Sequence, residues 1–177
     1  WSRTFIAPSS NTAKGGEASA LQVLAEILGG GPTSRLYRAL IVEGKVAASA
    51  GAWYSSSALD LGSFGLSGSP RPGGGVEKVE AAMAVEIKRL LADGVSEEEV
   101  ARAKKSLRAG AVFVRDSLGA GPNILGRALT TGRTIADVES WPERIGAVTR
   151  EQVDAAARAV LQDKKSVTSV LLPEPRS

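Results

Sequence analysis

Apolar positions along this chain recur with two different periods. In Gly16–Leu28, the residues Leu21, Leu24, Ala25 and Leu28 share one helical face, with Ile27 alongside. The same spacing aligns Val76, Val79, Met83, Ile87 and Leu90 over 76–91, and Val100, Ala103, Leu107 and Val114 in the next stretch. Val153, Ala156, Ala157 and Val160 mark a further helix over Arg150–Leu161. A period of two predicts strands at Arg3–Pro8, Lys45–Ser55 and Leu59–Ser69, and Ser166–Leu172 reads as a closing strand. Within the second strand, alternation puts Val46, Ala48, Ala50 and Ala52 on one face and Trp53 on the other. In the third, Leu61, Ser63, Gly65 and Ser67 alternate with Phe64 and Leu66.

Turn and cap residues divide these stretches. Gly29–Gly31 ends the first helix and Pro32 blocks its continuation. Thr33 or Ser34 then caps a short helix that buries Leu36, Tyr37, Leu40 and Ile41 and stops at Gly44. Ser56 and Ser57 form a turn between the paired strands, and Pro70–Gly75 forms another. Capping-box spacing occurs at Ser96/Glu99, Thr134/Asp137 and Thr149/Gln152. A shorter helix is expected over Asn123–Thr131, Pro142 is expected to kink or divide the one after it, and Pro173–Ser177 reads as a tail. The layout is α+β, a mostly antiparallel sheet with helices packed on one face. With no repeat and no long linker, residues 1–177 are expected to be one domain.

Composition narrows the chemistry. Hydrophobic residues make up 43% and charged residues 23%, and no apolar run is long enough to cross a bilayer as a helix. The net charge of +3 comes from 22 basic and 19 acidic side chains, alternating in sign along the helices. That pattern argues against nucleic-acid binding. The sequence has no His and no Cys, so it offers no imidazole, thiolate or disulfide, and the compartment stays open between cytoplasm and periplasm.

No catalytic or metal arrangement replaces them. The acidic run Glu97–Glu99 complements a helix N-terminus and lacks the Asp-x-Asp-x-Gly pattern of a calcium loop, so no metal site is expected. Ser106 and Lys105 are adjacent on a helix and do not face each other, which removes a Ser–Lys dyad. Gly29–Gly31 follows a helix and precedes Pro-Thr-Ser-Arg, so it caps a helix and does not cradle a phosphate.

The words ILGGG (27–31) and SRLYRAL (34–40), followed by VEGKVA (42–47), resemble the C-terminal domain of the M16 (insulinase/pitrilysin-like) zinc metallopeptidases. The strongest similarity covers Leu21–Ala50. The resemblance implies one wall of a chamber that encloses peptides, with zinc held by an H-x-x-E-H motif in an N-terminal domain or in a partner M16 subunit. The chain, which begins at Trp1 and carries Met only at position 83, is accordingly expected to be part of a longer two-domain protein and inactive alone. In the noncatalytic subunit of mitochondrial processing peptidase, a longer glycine-rich loop before a similar helix handles substrate, which makes Gly30, Gly31 and Arg35 candidate substrate contacts. Trp53 and Tyr54, adjacent on a strand, must point to opposite faces and are candidates for lining the chamber or meeting a partner domain.

Many M16 C-terminal domains also carry an Arg and, seven positions on, a Tyr that reach the reaction centre. Here those positions hold Ile41 and Ala48. Neither can hydrogen-bond an oxyanion. That departure leaves two standings within the family: the second half of a zinc-bearing chain, or a noncatalytic scaffold like the respiratory-complex core proteins.

Overall fold

In a computed structural model, residues 1–115 and 119–172 are described, with backbone alone for 113–115. The strand periods produce β1 (Ser2–Ala7), β2 (Ala47–Ser55), β3 (Gly62–Pro70) and β4 (Ser166–Ser169). They form one sheet in the order β2-β3-β1-β4, antiparallel throughout. Alternation fixes the two faces. The row Tyr54–Phe64–Phe5 points toward the helices, and the row Trp53–Gly65–Thr4–Val167 points away from them.

One strand departs from simple alternation. The β2–β3 register shifts between Ala47 and Ser49, so β2 carries an extra residue there. The bulge buries Ala47 and exposes Ala48, whereas the sequence period had placed Ala48 with Ala50 and Ala52. Beyond it the expected pattern resumes, with Ala50, Ala52 and Tyr54 packed on the core. On β3, Phe64 and Leu66 point inward as their spacing requires.

The helices are α1 (Glu17–Gly29), α2 (Val76–Asp93), α3 (Glu97–Arg115), α4 (Ala120–Thr130), α5 (Ile135–Glu139), α6 (Trp141–Ala147) and α7 (Arg150–Val160). Helix α1 is the hub, touching β2, α3, α6 and α7. Its buried residues include Leu21, Val23, Leu24, Ile27 and Leu28, a wider face than a single stripe, because neighbours surround it. All three capping boxes form, at Ser96/Glu99, Thr134/Asp137 and Thr149/Gln152. Pro142 lies in the first turn of α6 and separates that helix from α5.

The short helix expected after Pro32 differs in winding. Residues Tyr37–Glu43 form a π-helix, closed by Gly44 N–H donating to the Ala39 carbonyl at 2.9 Å. The Val46 N–H reaches back to the Leu40 carbonyl, also at 2.9 Å. Leu36 and Leu40 are buried, while Tyr37 and Ile41 are only half-buried. The last strand stops at Ser169, and Val170, Leu171 and Leu172 beyond it are exposed. The side chain expected inward at Val114 and the tail Pro173–Ser177 lie outside the described residues.

Two glycines test this packing in opposite directions. A Cβ on Gly29 would collide with the Ala52 backbone, where α1 comes down onto β2. A Cβ on Gly126, inside α4, would meet nothing within 4 Å. In urea unfolding, Gly29→Ala is expected to cost about 2 kcal/mol or more. Gly126→Ala is expected to stabilise the protein by about 0.5–1 kcal/mol.

Candidate functional site

The glycine segment and Arg35 end up in adjoining surroundings. Gly30 closes α1 by donating its N–H to the Glu26 carbonyl at 2.8 Å, and a side chain at Gly30 would run into Glu26. Gly31 takes φ 101°, a left-handed conformation that favours glycine. Gly30 borders a small cavity with Thr33, Ser34 and Glu99, and Thr33 and Glu99 also line the next one, where Arg35 lies.

Arg35 is committed to the fold. Its Nε donates to Glu99 Oε1 at 2.6 Å and its Nη2 to Glu99 Oε2 at 2.8 Å, a paired-fork geometry. Nη2 also donates to the Gly94 carbonyl at 2.8 Å. Glu99 meanwhile accepts the Ser96 N–H at 2.8 Å, so one carboxylate caps α3 and anchors Arg35. The hydrogen bond donated to Glu99, opposed by burial, raises the Arg35 pKa. For Glu99 itself burial pushes upward, but the Arg35 and Ser96 hydrogen bonds and the Arg35 charge outweigh it. The Glu99 carboxyl therefore lies below its usual range.

Glu86 is the residue that the sequence reading passed over. It is 5% exposed, on the buried face of α2 with Val79, Met83 and Leu90. Its nearest cationic atoms are Arg35 Nη1 at 3.8 Å and Arg89 Nη1 at 4.0 Å. Burial dominates and raises its carboxyl, with the two guanidinium groups opposing. The available signal was an acid at the i+3 position of an apolar stripe, where Ile87 had been placed instead. Asp154 was missed as well: bordering the predicted face of α7, it is buried and accepts the Val95 N–H at 2.8 Å.

Trp53 and Tyr54 separate as adjacent strand residues must. Tyr54 turns to the core, tilted against Phe64 with ring centroids 6.4 Å apart, and donates its hydroxyl to the Pro8 carbonyl at 2.5 Å. Burial, with a smaller contribution from Glu17, raises its pKa. Trp53 lies on the other face, its indole resting directly on Gly65, where any Cβ would clash. That outer face shows Trp53, Ile6 and Val167 at 43%, 57% and 72% exposure, among Ser2, Thr4, Ser63 and Ser67. Trp53 is thus divided by the sheet from Arg35 and the glycines, which belong to the helical side.

The residues present do not suit a zinc centre. The sequence has no His or Cys, and among the described residues there is no group of three or more metal-ligating side chains. At the two positions where family members place their Arg and Tyr, Ile41 lies in the π-helix and Ala48 at the β2 bulge. No described helix is long and apolar enough to cross a membrane.

Comparison with known proteins agrees with this picture. The profile described as the peptidase M16 inactive domain matches residues 4–107. The chain belongs to the M16 peptidase family, as its inactive domain. An uncharacterized zinc protease of Streptomyces coelicolor is 30% identical over 151 residues, covering 85% of this chain and 32% of the relative. The chain therefore spans about a third of the length of that curated relative. In fold, it is similar to a protease from Helicobacter pylori, with TM-score 0.81 and 16% identity over 93% of this chain and 38% of that one. It is also similar to the inactive peptidase domain of a Bordetella parapertussis protein assigned as a zinc protease. There the TM-score is 0.80 and the identity 20%, over 99% of this chain and 92% of the other.

The two glutamates around Arg35 should respond oppositely to pH. Glu99, with its folded pKa depressed, contributes stability that is present above the unfolded carboxylate pKa and lost as pH falls through the folded value. Glu86, with its folded pKa raised, favours folding below the unfolded value and loses that contribution as pH rises. At pH 7, Glu99→Gln is expected to cost about 2 kcal/mol. Glu86→Gln is expected to stabilise by up to about 1 kcal/mol, a gain that closes on acidification to about pH 4. Urea titrations of both variants across pH 3–8 would check the signs.

Proposed function

We propose that this chain forms the non-zinc wall of a chamber enclosing unfolded peptides. Zinc and hydrolysis come from an N-terminal M16 domain of the same chain or from a second M16 subunit. The sheet itself supports this reading. Helices cover one of its faces, and the other shows small and polar side chains with Trp53, Ile6 and Val167 exposed among them. Such a face can line a water-filled space and still offer Trp53 to a passing peptide.

Within that reading the candidate residues divide their work. Trp53 faces the peptide, and Tyr54, locked by its Pro8 hydrogen bond, sets the strand so that Trp53 must face outward. Gly30 and Gly31 form a side-chain-free turn on the helical side of the sheet, and Arg35 holds that turn's exit against α2 and α3. The absence of imidazole makes catalysis the other domain's task. The match to the Streptomyces coelicolor zinc protease supports the placement within such an enzyme.

In the complete zinc-bearing protein, Trp53→Ala is expected to raise KM for unfolded peptides about tenfold with kcat nearly unchanged. An unchanged KM would remove Trp53 from the chamber wall. The 177-residue chain alone should leave peptides intact with any added metal. Chelator-sensitive cleavage by it would overturn the reading.

A further inference from the structure

Away from the sheet's open face, at the start of α1, two guanidinium groups meet beside Asp137, with no carboxylate in ion-pair contact with either among the described residues. Arg133 Nη2 and Arg144 Nη2 both donate to the Asp137 carbonyl, at 3.2 and 2.6 Å. Sharing one acceptor keeps those nitrogens within about 6 Å of each other, where like charges repel. Neither side chain forms an ion pair among the described residues. The carboxylate of Asp137 is turned instead to Thr134, accepting its N–H and its hydroxyl, each at 2.8 Å.

The helix end opposite them has spare donors. Gly16, the N-cap of α1, takes φ 85° and supplies no side-chain cap. Glu17 N–H donates to Lys14 and Ala20 N–H to Gly16, each at 3.0 Å. The N–H groups of Ala18 and Ser19 between them have no acceptor among the described residues. The Ser19 side chain belongs to a residue only 7% exposed, yet its hydroxyl bonds no described group. Gln22 adds an oriented donor. Trp141 Nε1 donates to its Oε1 at 2.7 Å, which leaves the amide NH₂ free.

These groups converge on one cavity of about 210 Å³, whose lining includes Gly16, Ala18, Ser19, Gln22, Arg133 and Arg144, together with Asp137. We propose that this cavity binds an oxyanion, a phosphate or carboxylate group, held by the first-turn amides of α1, the Ser19 hydroxyl, the Gln22 amide and the two guanidinium groups. The lining is rich in donors, and an anion would relieve the repulsion between the arginines. Two arginines against one aspartate leave it net positive, and the volume admits an anionic group carried on a larger molecule.

The test titrates the 177-residue protein, at constant ionic strength, with inorganic phosphate and separately with N-acetylalanine, a carboxylate without an amine. Calorimetry gives the affinity, and amide NMR follows Ala18 and Ser19. At least one probe is expected to bind saturably and shift both resonances with the same Kd. The double variant R133Q/R144Q should bind about tenfold more weakly or worse. Arg158→Gln, on exposed α7 surface, should bind as the parent does. Tighter phosphate binding assigns a phosphorylated ligand, and tighter N-acetylalanine binding a peptide terminus. If the double variant fails to fold by circular dichroism, Ser19→Ala and the parent amide shifts decide. No saturable shift with either probe, or equal affinity in the arginine or serine variants, would overturn the site.

Discussion

Helix α1 must be dry on nearly every side, and the rest of the domain is arranged to keep it so. Its residues Leu21, Val23, Leu24, Ile27 and Leu28 are buried, and β2, α3, α6 and α7 pack around the helix. Each such side chain contributes about 1.5–3 kcal/mol on burial, so this helix anchors the core. The dry environment also sets its ends. The C-terminus can approach β2 only because residue 29 has no side chain, and the chain then leaves through two further glycines. The N-terminus is polar, where Arg133 of the loop before α5 and Arg144 of α6 approach it.

The Arg35 cluster follows from the same arrangement. Once α1 stops at the glycines, the following segment must be fastened to α2 and α3 without more apolar surface to bury. A guanidinium reaching the Gly94 carbonyl and the Glu99 carboxylate does this with three hydrogen bonds from one side chain. Glu86 beneath it is the opposite kind of residue, a charge whose solvation loss exceeds what its neighbours return.

Much of the architecture was readable from sequence because local chemistry decided it. The capping boxes at Ser96, Thr134 and Thr149 need only residues three apart, and Pro142 separates helices by its own geometry. Strand faces followed from the alternation of Phe64 and Leu66, and Trp53 and Tyr54 had to part. What was hidden depends on distant partners. The bulge at Ala48 is a mismatch of β2 against β3, and Asp154 is buried for the sake of an amide 59 positions away. Glu86 broke the apolar rule of its own stripe. The arginine-lined cavity at the start of α1 gathers residues from three separate segments, each unremarkable alone. On the sheet's outer side β3 carries Ser63, Gly65 and Ser67, with the Trp53 indole resting on Gly65.

The π-helix at Tyr37–Glu43 has a bearing on how relatives are aligned. A turn wound over five residues instead of four holds one more position than an α-turn of the same height. The bulge shortly downstream adds another. Across this stretch, equal spacing in two sequences does not guarantee equal direction in space. A relative that closes either irregularity would aim the same-numbered side chain elsewhere, by about a quarter-turn on the helix or onto the reverse face of the strand. Comparisons between members of the family through Ile41 and Ala48 therefore need superposed backbones, not counted letters.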